Sequence, residues 1–391
     1  MSACPPVRLS ACAVLGAALL SGCMYTRADV ENPPPAPLVF RALPYPTYDG
    51  DEGLTGHLVA GWRSSPNRRP PPVGMSIGMD ARISTSGTMG AVAMLDAPAR
   101  WHNWRLLGIL GAERLRRVPF YGVGNNAPVV DTFPSTYYRY SLQRLTAAAA
   151  VQRRLVGPFR LHLATQVRRY RAQPLEDTTL LGDLVAAGLY SDTASVTGVE
   201  VRAGLLFDTR DEEASPTRGV FFEAMAAHAV SGFDYTRYLG SAREFIHFGD
   251  LEQWVLGFRQ TAEISTGTMP VFVAYERLTT WYPEDGFGGP TSLRIYSTGR
   301  FVAPNRSVFS ADLRYKAWDV PYPTAPVRLW LLGFVDVGRL WDQGQDPSLT
   351  DLHWSTGVGG RLQLGKGVLF GADIGRNDEG FGFAISTGLA F

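Results

Sequence analysis

Lysine is nearly missing from this chain. Of the 37 basic residues only Lys316 and Lys366 are lysine, and the rest are arginine. The 36 acidic residues leave a net charge of +1, which removes any bulk electrostatic case for nucleic acid as a partner. Charge of either sign is scarce, at 19% of 391 residues. Cysteine is scarcer. Cys4, Cys12 and Cys23 all fall near the start, so no disulfide framework runs through the body of the chain. The one sustained apolar run, residues 9–20, is too short to cross a bilayer as a stable helix. No repeated amphipathic helix pattern and no second composition regime follow it, although the length would suit two or three ordinary domains. Catalytic signatures are missing too. There is no Gly-x-Ser-x-Gly elbow, P-loop or dinucleotide fingerprint, and the six histidines show no metal-ligand spacing. The chain therefore reads as a non-enzyme with no cofactor and no metal.

What is abundant is glycine, at 42 residues, and aromatic side chains, at 12%. From about residue 53 to the end the sequence alternates with period two. Met75, Ile77, Met79, Ala81 and Ile83 alternate with Ser76, Gly78, Asp80 and Arg82. Phe159, Leu161, Leu163 and Val167 alternate with Arg160, His162, Gln166 and Arg168. A soluble β-sandwich alternates as well, with its polar face to bulk water. Here the segments have the ~9–11 residues of a strand that crosses a bilayer at a tilt. Long glycine-rich loops take turns with short ones such as Leu155-Val156-Gly157-Pro158 and Leu364-Gly365-Lys366-Gly367. Long loops outside and short turns inside are the pattern of a transmembrane barrel, the only closed way for strands to cross lipid. The expected fold is all-β: a transmembrane antiparallel β-barrel whose two ends both face the periplasm.

The opening residues read as an export signal, residues 1–23, with Arg8 before the apolar run. It closes on Leu20-Ser21-Gly22-Cys23, which resembles the lipobox of bacterial lipoproteins, so Cys23 is the expected lipid attachment site. Residues 24–50, with Asn32-Pro33-Pro34-Pro35-Ala36-Pro37, read as a stiff linker, and 51–391 as the barrel. In the last segment Phe381, Phe383, Ile385, Thr387, Leu389 and Phe391 share one face. The closing pair Leu389 and Phe391 resembles the signal that outer-membrane proteins present to their assembly machinery. Fifteen segments are countable, among them 242–253 and 256–267. Bacterial single-chain barrels have even numbers, so sixteen strands are expected, the missing one in 113–134 or just before residue 53.

Three motifs then carry a family resemblance. The first is Phe207-Asp208-Thr209-Arg210-Asp211 with Pro216-Thr217-Arg218-Gly219 downstream. Carboxylates of Asp208 and Asp211 flanking Arg210 can pin a tight turn, with Pro216 and Gly219 fixing its exit. The second runs from Gly288-Gly289 through Leu293-Arg294-Ile295-Tyr296 to Gly299-Arg300-Phe301, a long loop that holds an arginine among apolar groups. A buried guanidinium needs carboxylate partners. The third is Phe334-Val335-Asp336. Together they resemble the barrel of the BamA/TamA superfamily, also called bacterial surface antigen barrels, over about residues 50–391. Phe120-Tyr121-Gly122-Val123-Gly124-Asn125 resembles a loop of members with reduced N-terminal regions.

The resemblance implies a lid loop folded into the lumen, its arginine received by a wall aspartate. Strand parity agrees. Asp312 and Asp336 alternate with the apolar positions of neighbouring strands, so both are expected in the lumen. The expected latch is Arg294 with Asp336, with Asp312 sharing the arginine and Tyr296 beside it. Val308 breaks the polar face of its strand. Ile295 stands where the family has glycine, so a different tip conformation is expected. The family's periplasmic polypeptide-transport domains have no counterpart in residues 24–50. The expected partners are outer-membrane lipid, the assembly machinery during biogenesis, and a protein or lipid client. The expected role is insertion or translocation at the outer membrane, against a passive structural barrel or a barrel lipid hydrolase. For the last, only the His353-Trp354-Ser355 spacing speaks.

Overall fold

The computed structural model describes residues 37–387, except 50–51, 65–74, 102, 131, 177, 188–194, 214, 250–252, 281–283, 321–326 and 365–367. Cys23, Leu389 and Phe391 lie outside the described residues.

Sixteen strands form one antiparallel sheet in sequence order. They are β1 (Leu38–Asp49), β2 (Gly53–Ser64), β3 (Met75–Ser84), β4 (Met89–Trp101), β5 (Trp104–Pro119), β6 (Arg139–Arg154), β7 (Phe159–Pro174), β8 (Val196–Asp208), β9 (Gly219–Ser231), β10 (Asp234–Phe248) and β11 (Trp254–Thr268). After a long loop come β14 (Asn305–Val320), β15 (Val327–Trp341), β16 (His353–Leu364), β17 (Val368–Asn377) and β18 (Gly380–Thr387). Within that loop β12 (Glu276–Arg277) and β13 (Glu284–Asp285) make a separate two-stranded ladder. β1 and β18 lie against each other and close the sheet into a barrel.

The alternation sets the two faces. Leu54, Ile83, Leu110, Val358 and Ile374 are exposed on the outside, where they meet lipid. Exposed Trp62, Trp101, Trp104, Phe248 and Trp318 all sit at one end of their strands and form an aromatic girdle there. That end is called the turn end; the described parts of the segments 120–138, 175–195 and 269–304 belong to the opposite, loop end.

Two expectations are corrected. The expected linker does not extend to residue 50, because 38–49 form β1, the strand just before residue 53. Pro44 and Pro46 hid it. Proline breaks a central strand but is tolerated on one whose outer side meets no ladder. The segment expected at 242–253 is β10, which begins at Asp234 and ends at Phe248. Its hairpin with β9 turns at Gly232-Phe233. Gly232 has φ +78°, and a Cβ there would lie 1.9 Å from the Thr197 carbonyl oxygen.

Strand length varies around the barrel. β5, β6 and β7 have 16 residues each, whereas β17 has 10 and the described part of β18 has 8. At about 3.3 Å per residue the long strands outreach a hydrocarbon core of about 30 Å even when tilted, and the described part of the short ones falls short of it when tilted.

Candidate functional site

The loop of residues 269–304 enters the lumen and packs as a small core of its own. Phe287, Leu293, Tyr296, Phe301 and Ala303 are buried together with Val308 and Leu340 of the wall. This explains the parity break at Val308. An apolar side chain faces the lumen there because the lid rests on it. The lid backbone doubles back tightly. A Cβ on Gly286, which has φ +75°, would come within 2.4 Å of the Gly299 nitrogen.

Arg294 and Asp336 are both fully buried. Arg294 donates from Nε to Asp336 Oδ2 at 2.8 Å and from Nη2 to Oδ1 at 2.7 Å, a planar two-pronged pair. Its backbone N–H donates to the same carboxylate at 3.1 Å, as does the Ser355 hydroxyl. The guanidinium lies 3.9 Å over the Phe334 ring. Asp312 acts on the arginine through its charge but makes no hydrogen bond to it. Its carboxylate accepts from Arg314 Nε at 2.8 Å, since positions two apart on a strand point the same way and that cation is nearer.

Tyr296 donates its hydroxyl to Asp378, in the turn between β17 and β18, and its ring meets Phe301 and His353. Burial, then the Asp378 carboxylate, push its phenol well above the usual range. Ile295 keeps the glycine-like backbone, with φ +75°, against the expectation of a different tip. Its buried side chain packs on Leu332 and Phe334, which offsets a strained angle that β-branched residues rarely adopt. A Cβ on Gly382 of β18 would lie 3.1 Å from Ile295 Cγ2, so the lid tip also touches the last strand.

A second clamp was not foreseen from sequence. Glu276 of β12 is buried and accepts from Arg144 Nη1 at 2.8 Å, from Arg168, and from the Tyr170 hydroxyl at 3.1 Å. Arg144 also donates to Asp285 at 2.6 Å and to Glu113 at 2.9 Å. Burial alone would raise the Asp285 carboxyl, yet Arg144 holds it below the usual carboxylate range. Arg306 donates to the Ala274 carbonyl at 2.8 Å, and the Leu278 N–H to Glu263 at 2.9 Å. The only sequence signal was a glutamate inside Val271-Phe272-Val273-Ala274-Tyr275-Glu276, where an unpaired carboxylate would be costly.

The 120–125 segment caps the lid from the loop end. Gly124 N–H donates to the Val302 carbonyl at 2.8 Å, and Asn125 Oδ1 accepts from Leu340 N–H at 2.9 Å. Arg300 bonds Glu379 at 2.7 Å and the Ala127 carbonyl at 3.0 Å. His353 lies within hydrogen-bond distance of Asp378 and of the Asn125 carbonyl, and Ser355 donates to Asp336. The two are spent on lid contacts and are not joined as nucleophile and base.

At the turn end, Asp208 receives Arg210 through Nε at 2.9 Å and Nη2 at 3.1 Å. Asp211 does not flank that arginine. It accepts instead from the N–H groups of Glu212, Thr217 and Arg218 and from the Thr217 hydroxyl, the small concave geometry an Asx turn needs. Gly219 has φ +102°, and a Cβ there would meet the Thr209 carbonyl at 2.4 Å. The turn reaches both sides of the lumen. Arg105 of β5 donates to Glu213 at 2.7 Å, and Arg314 of β14 to the Pro216 carbonyl at 3.2 Å.

Comparison with known proteins agrees with this architecture. A model of the Omp85 superfamily domain matches residues 104–391. The fold is similar to BamA from Haemophilus ducreyi lacking POTRA domains 1-3, with TM-score 0.56 and 14% identity, covering 90% of this chain and 70% of that one. CdiB from Escherichia coli gives TM-score 0.57 at 12% identity, covering 91% and 62%. CdiB from Acinetobacter baumannii gives 0.50 at 12%, covering 90% and 59%. The chain thus spans about six-tenths of the CdiB chains. No curated protein sequence matches it.

Proposed function

This chain belongs to the Omp85 superfamily of outer-membrane barrels, and on that premise we propose that it assists the insertion or passage of proteins at the outer membrane. The barrel would open between β1 and β18, and the Arg294–Asp336 pair would act as the latch on the lid.

The observation that carries this reading is the seam. Every other neighbouring pair of strands is joined by a ladder, from β1 with β2 round to β17 with β18. Between the described parts of β1 and β18 no ladder pairs are formed. Pro44 and Pro46 pair with Leu58 and Gly56 of β2, and neither has an N–H. Successive positions on a strand aim their N–H groups at alternate neighbours, so two prolines two apart empty the same side. Keeping the β2 ladder intact puts that side toward β18. Across the seam Tyr45 of β1 meets Phe370 of β17, ring centroids 5.9 Å apart. A sheet is weakest where backbone bonds are fewest, and a client strand finds its free edge there.

The test is a thiol-specific crosslink between cysteines placed at Tyr45 and Phe370, in protein reconstituted into liposomes with an unfolded barrel substrate. Substrate assembly should stop on crosslinking and return on reduction. Unchanged assembly would refute the reading. Depletion in cells, followed by quantification of outer-membrane proteins, separates it from a passive barrel, for which no other barrel protein should fall.

A further inference from the structure

The lid does not seat flush against the wall. Between its Arg277, Leu278, Thr279, Glu284 and Phe287 and the inward side chains of β9, β10, β11 and β14 lies a cavity of about 140 Å³. A single water needs roughly 10–15 Å³ of such space, so the cavity has room for a polyatomic group. Its charge is lopsided. The guanidiniums of Arg243, Arg259, Arg277 and Arg306 line it with only three carboxylates, those of Glu223, Glu263 and Glu284. All three acids are already engaged. Glu223 accepts from Arg243 at 3.2 Å and from the Thr280 hydroxyl. Glu263 accepts from Arg306 at 3.3 Å, from the Leu278 N–H at 2.9 Å, and from Arg237 at 2.8 Å, a further cation from outside the cavity. Glu284 accepts from Arg277. Donors are left over. Arg277 is 8% exposed and Arg306 2%. Yet Nε of Arg277 and both Nε and Nη1 of Arg306 have no hydrogen-bond partner among the described residues, and neither has Nε of Arg243.

A buried donor left without an acceptor is costly, and more so on a cation. We propose that this cavity binds a phosphate group, as free phosphate or as the monoester of a lipid headgroup, and that the bound anion fastens the lid to the wall. Three features select that ligand. A phosphate presents several oxygens at once and accepts the forked donors that arginine offers and lysine does not. Water would satisfy the donors but leave the surplus of positive charge uncompensated. The cations also come from both sides of the gap. Arg277 belongs to the lid, and Arg243 and Arg306 to β10 and β14, so one anion held among them ties the two bodies together. Finally, the gap is open at one place and apolar at another. The Glu284 side chain is 45% exposed and marks the entrance, whereas Leu239 and Leu278, both buried, exclude water from the far side and strengthen the field on the anion.

The experiment titrates inorganic phosphate into the full chain, held in an uncharged maltoside detergent so that no lipid phosphate competes, and follows binding by calorimetry. Phosphate should bind saturably and should slow proteolysis of residues 269–304. Arg243→Gln and Arg277→Gln should each weaken binding by about tenfold or more. Glu284→Gln removes a competing anion at the entrance and should tighten it. That variant also breaks a lid contact, the bond to Arg277, so tighter binding separates an anion site from a lid that is merely loosened. Heat-modifiable gel migration checks that each variant is folded. Glycerol 3-phosphate in the same titration tells the sources apart: tighter binding than phosphate assigns an esterified headgroup, and equal or weaker binding assigns the free ion. Absence of saturable binding, an equal response to chloride at matched ionic strength, or phosphate binding unmoved in all three variants would each overturn the proposal.

Discussion

The two halves of this barrel use one alternation for opposite ends. In β5–β11, β14 and β15 the strands have 13 to 16 residues and the inward positions carry arginine, glutamate and tyrosine. The lid fills the space between them, and the large side chains buried there, Arg144, Arg168, Arg237 and Tyr170, are bonded to it or to one another. In β1–β3, β17 and β18 the described strands have 8 to 12 residues, and several inward positions hold glycine, alanine or other small residues. Gly382, Ala384 and Ser386 make up the described inner face of β18 below its first residue. The difference teaches what the polar interior is for. In the long-stranded half charge is placed where a loop buries and pairs it, whereas in the other half the inward charges pair from strand to strand along the wall, as Arg82 with Glu113 and Asp373 with Arg361.

The comparison breaks most severely at Glu276. Glu276→Ala leaves Arg144 and Arg168 short of a buried carboxylate, and uncompensated buried charge costs on the order of 3–5 kcal/mol. The lid should lose its foot on β6 and β7 while the strand ladders persist. Limited proteolysis of residues 269–304 in folded protein checks this, and a lid as resistant as in the parent would refute it. Acid should act the same way. The Asp285 carboxyl is held below its usual range by Arg144 despite burial, so its contribution is complete above that range and lost as pH falls through the lowered value. Lid cleavage by an acid-active protease should therefore rise below about pH 4.

The latch comes next. Arg294→Ala and Asp336→Ala should each loosen the lid tip by about 3 kcal/mol, and the double variant should be little worse than either. Single-channel conductance should show a leakier barrel in all three. Additive effects would mean the two residues act apart, despite the two hydrogen bonds between their side chains.

These two clamps also show what the sequence could reveal. Arg294 and Asp336 were legible because the lid and wall motifs resemble a family pattern that pairs them, and strand parity, which fixes the way Asp336 points, agreed. Glu276 was not, because its partners lie more than a hundred residues away and no local period links them. Asp312 was given the wrong hydrogen-bond partner because parity gives a face and not a distance. β1 was expected only as one of two places for the missing strand, because prolines suppress a strand reading unless one knows which edge is unpaired. Ile295 was read as a changed backbone, yet packing held the backbone and left the strain.

The other half can be sharpened at the seam. Pro44→Ala with Pro46→Ala restores two N–H donors. Each new hydrogen bond is worth about 0.5–1.5 kcal/mol, partly offset by a looser unfolded chain. A net gain of about 1 kcal/mol should appear as slower thermal unfolding and slower substrate assembly. Faster assembly would show that the prolines do not limit closure.

The smallest effect is expected where the halves touch. Ile295 sits at the lid tip, packed on Leu332 and Phe334 on one side and on Gly382 of β18 on the other. Truncating a buried isoleucine ordinarily costs about 2–5 kcal/mol. Here the residue holds φ +75°, a conformation that costs a β-branched side chain about 1–3 kcal/mol and glycine little. Ile295→Gly deletes the contact and the strain together, so the two terms should cancel to within about 2 kcal/mol. Leu332→Ala, beside it in the same cluster with no such strain to relieve, should cost the full amount. Hydrogen exchange at the lid tip and at β18 compares them. Near-equal losses in the two variants would mean that Ile295 is not strained, and that its contact with the last strand is ordinary packing.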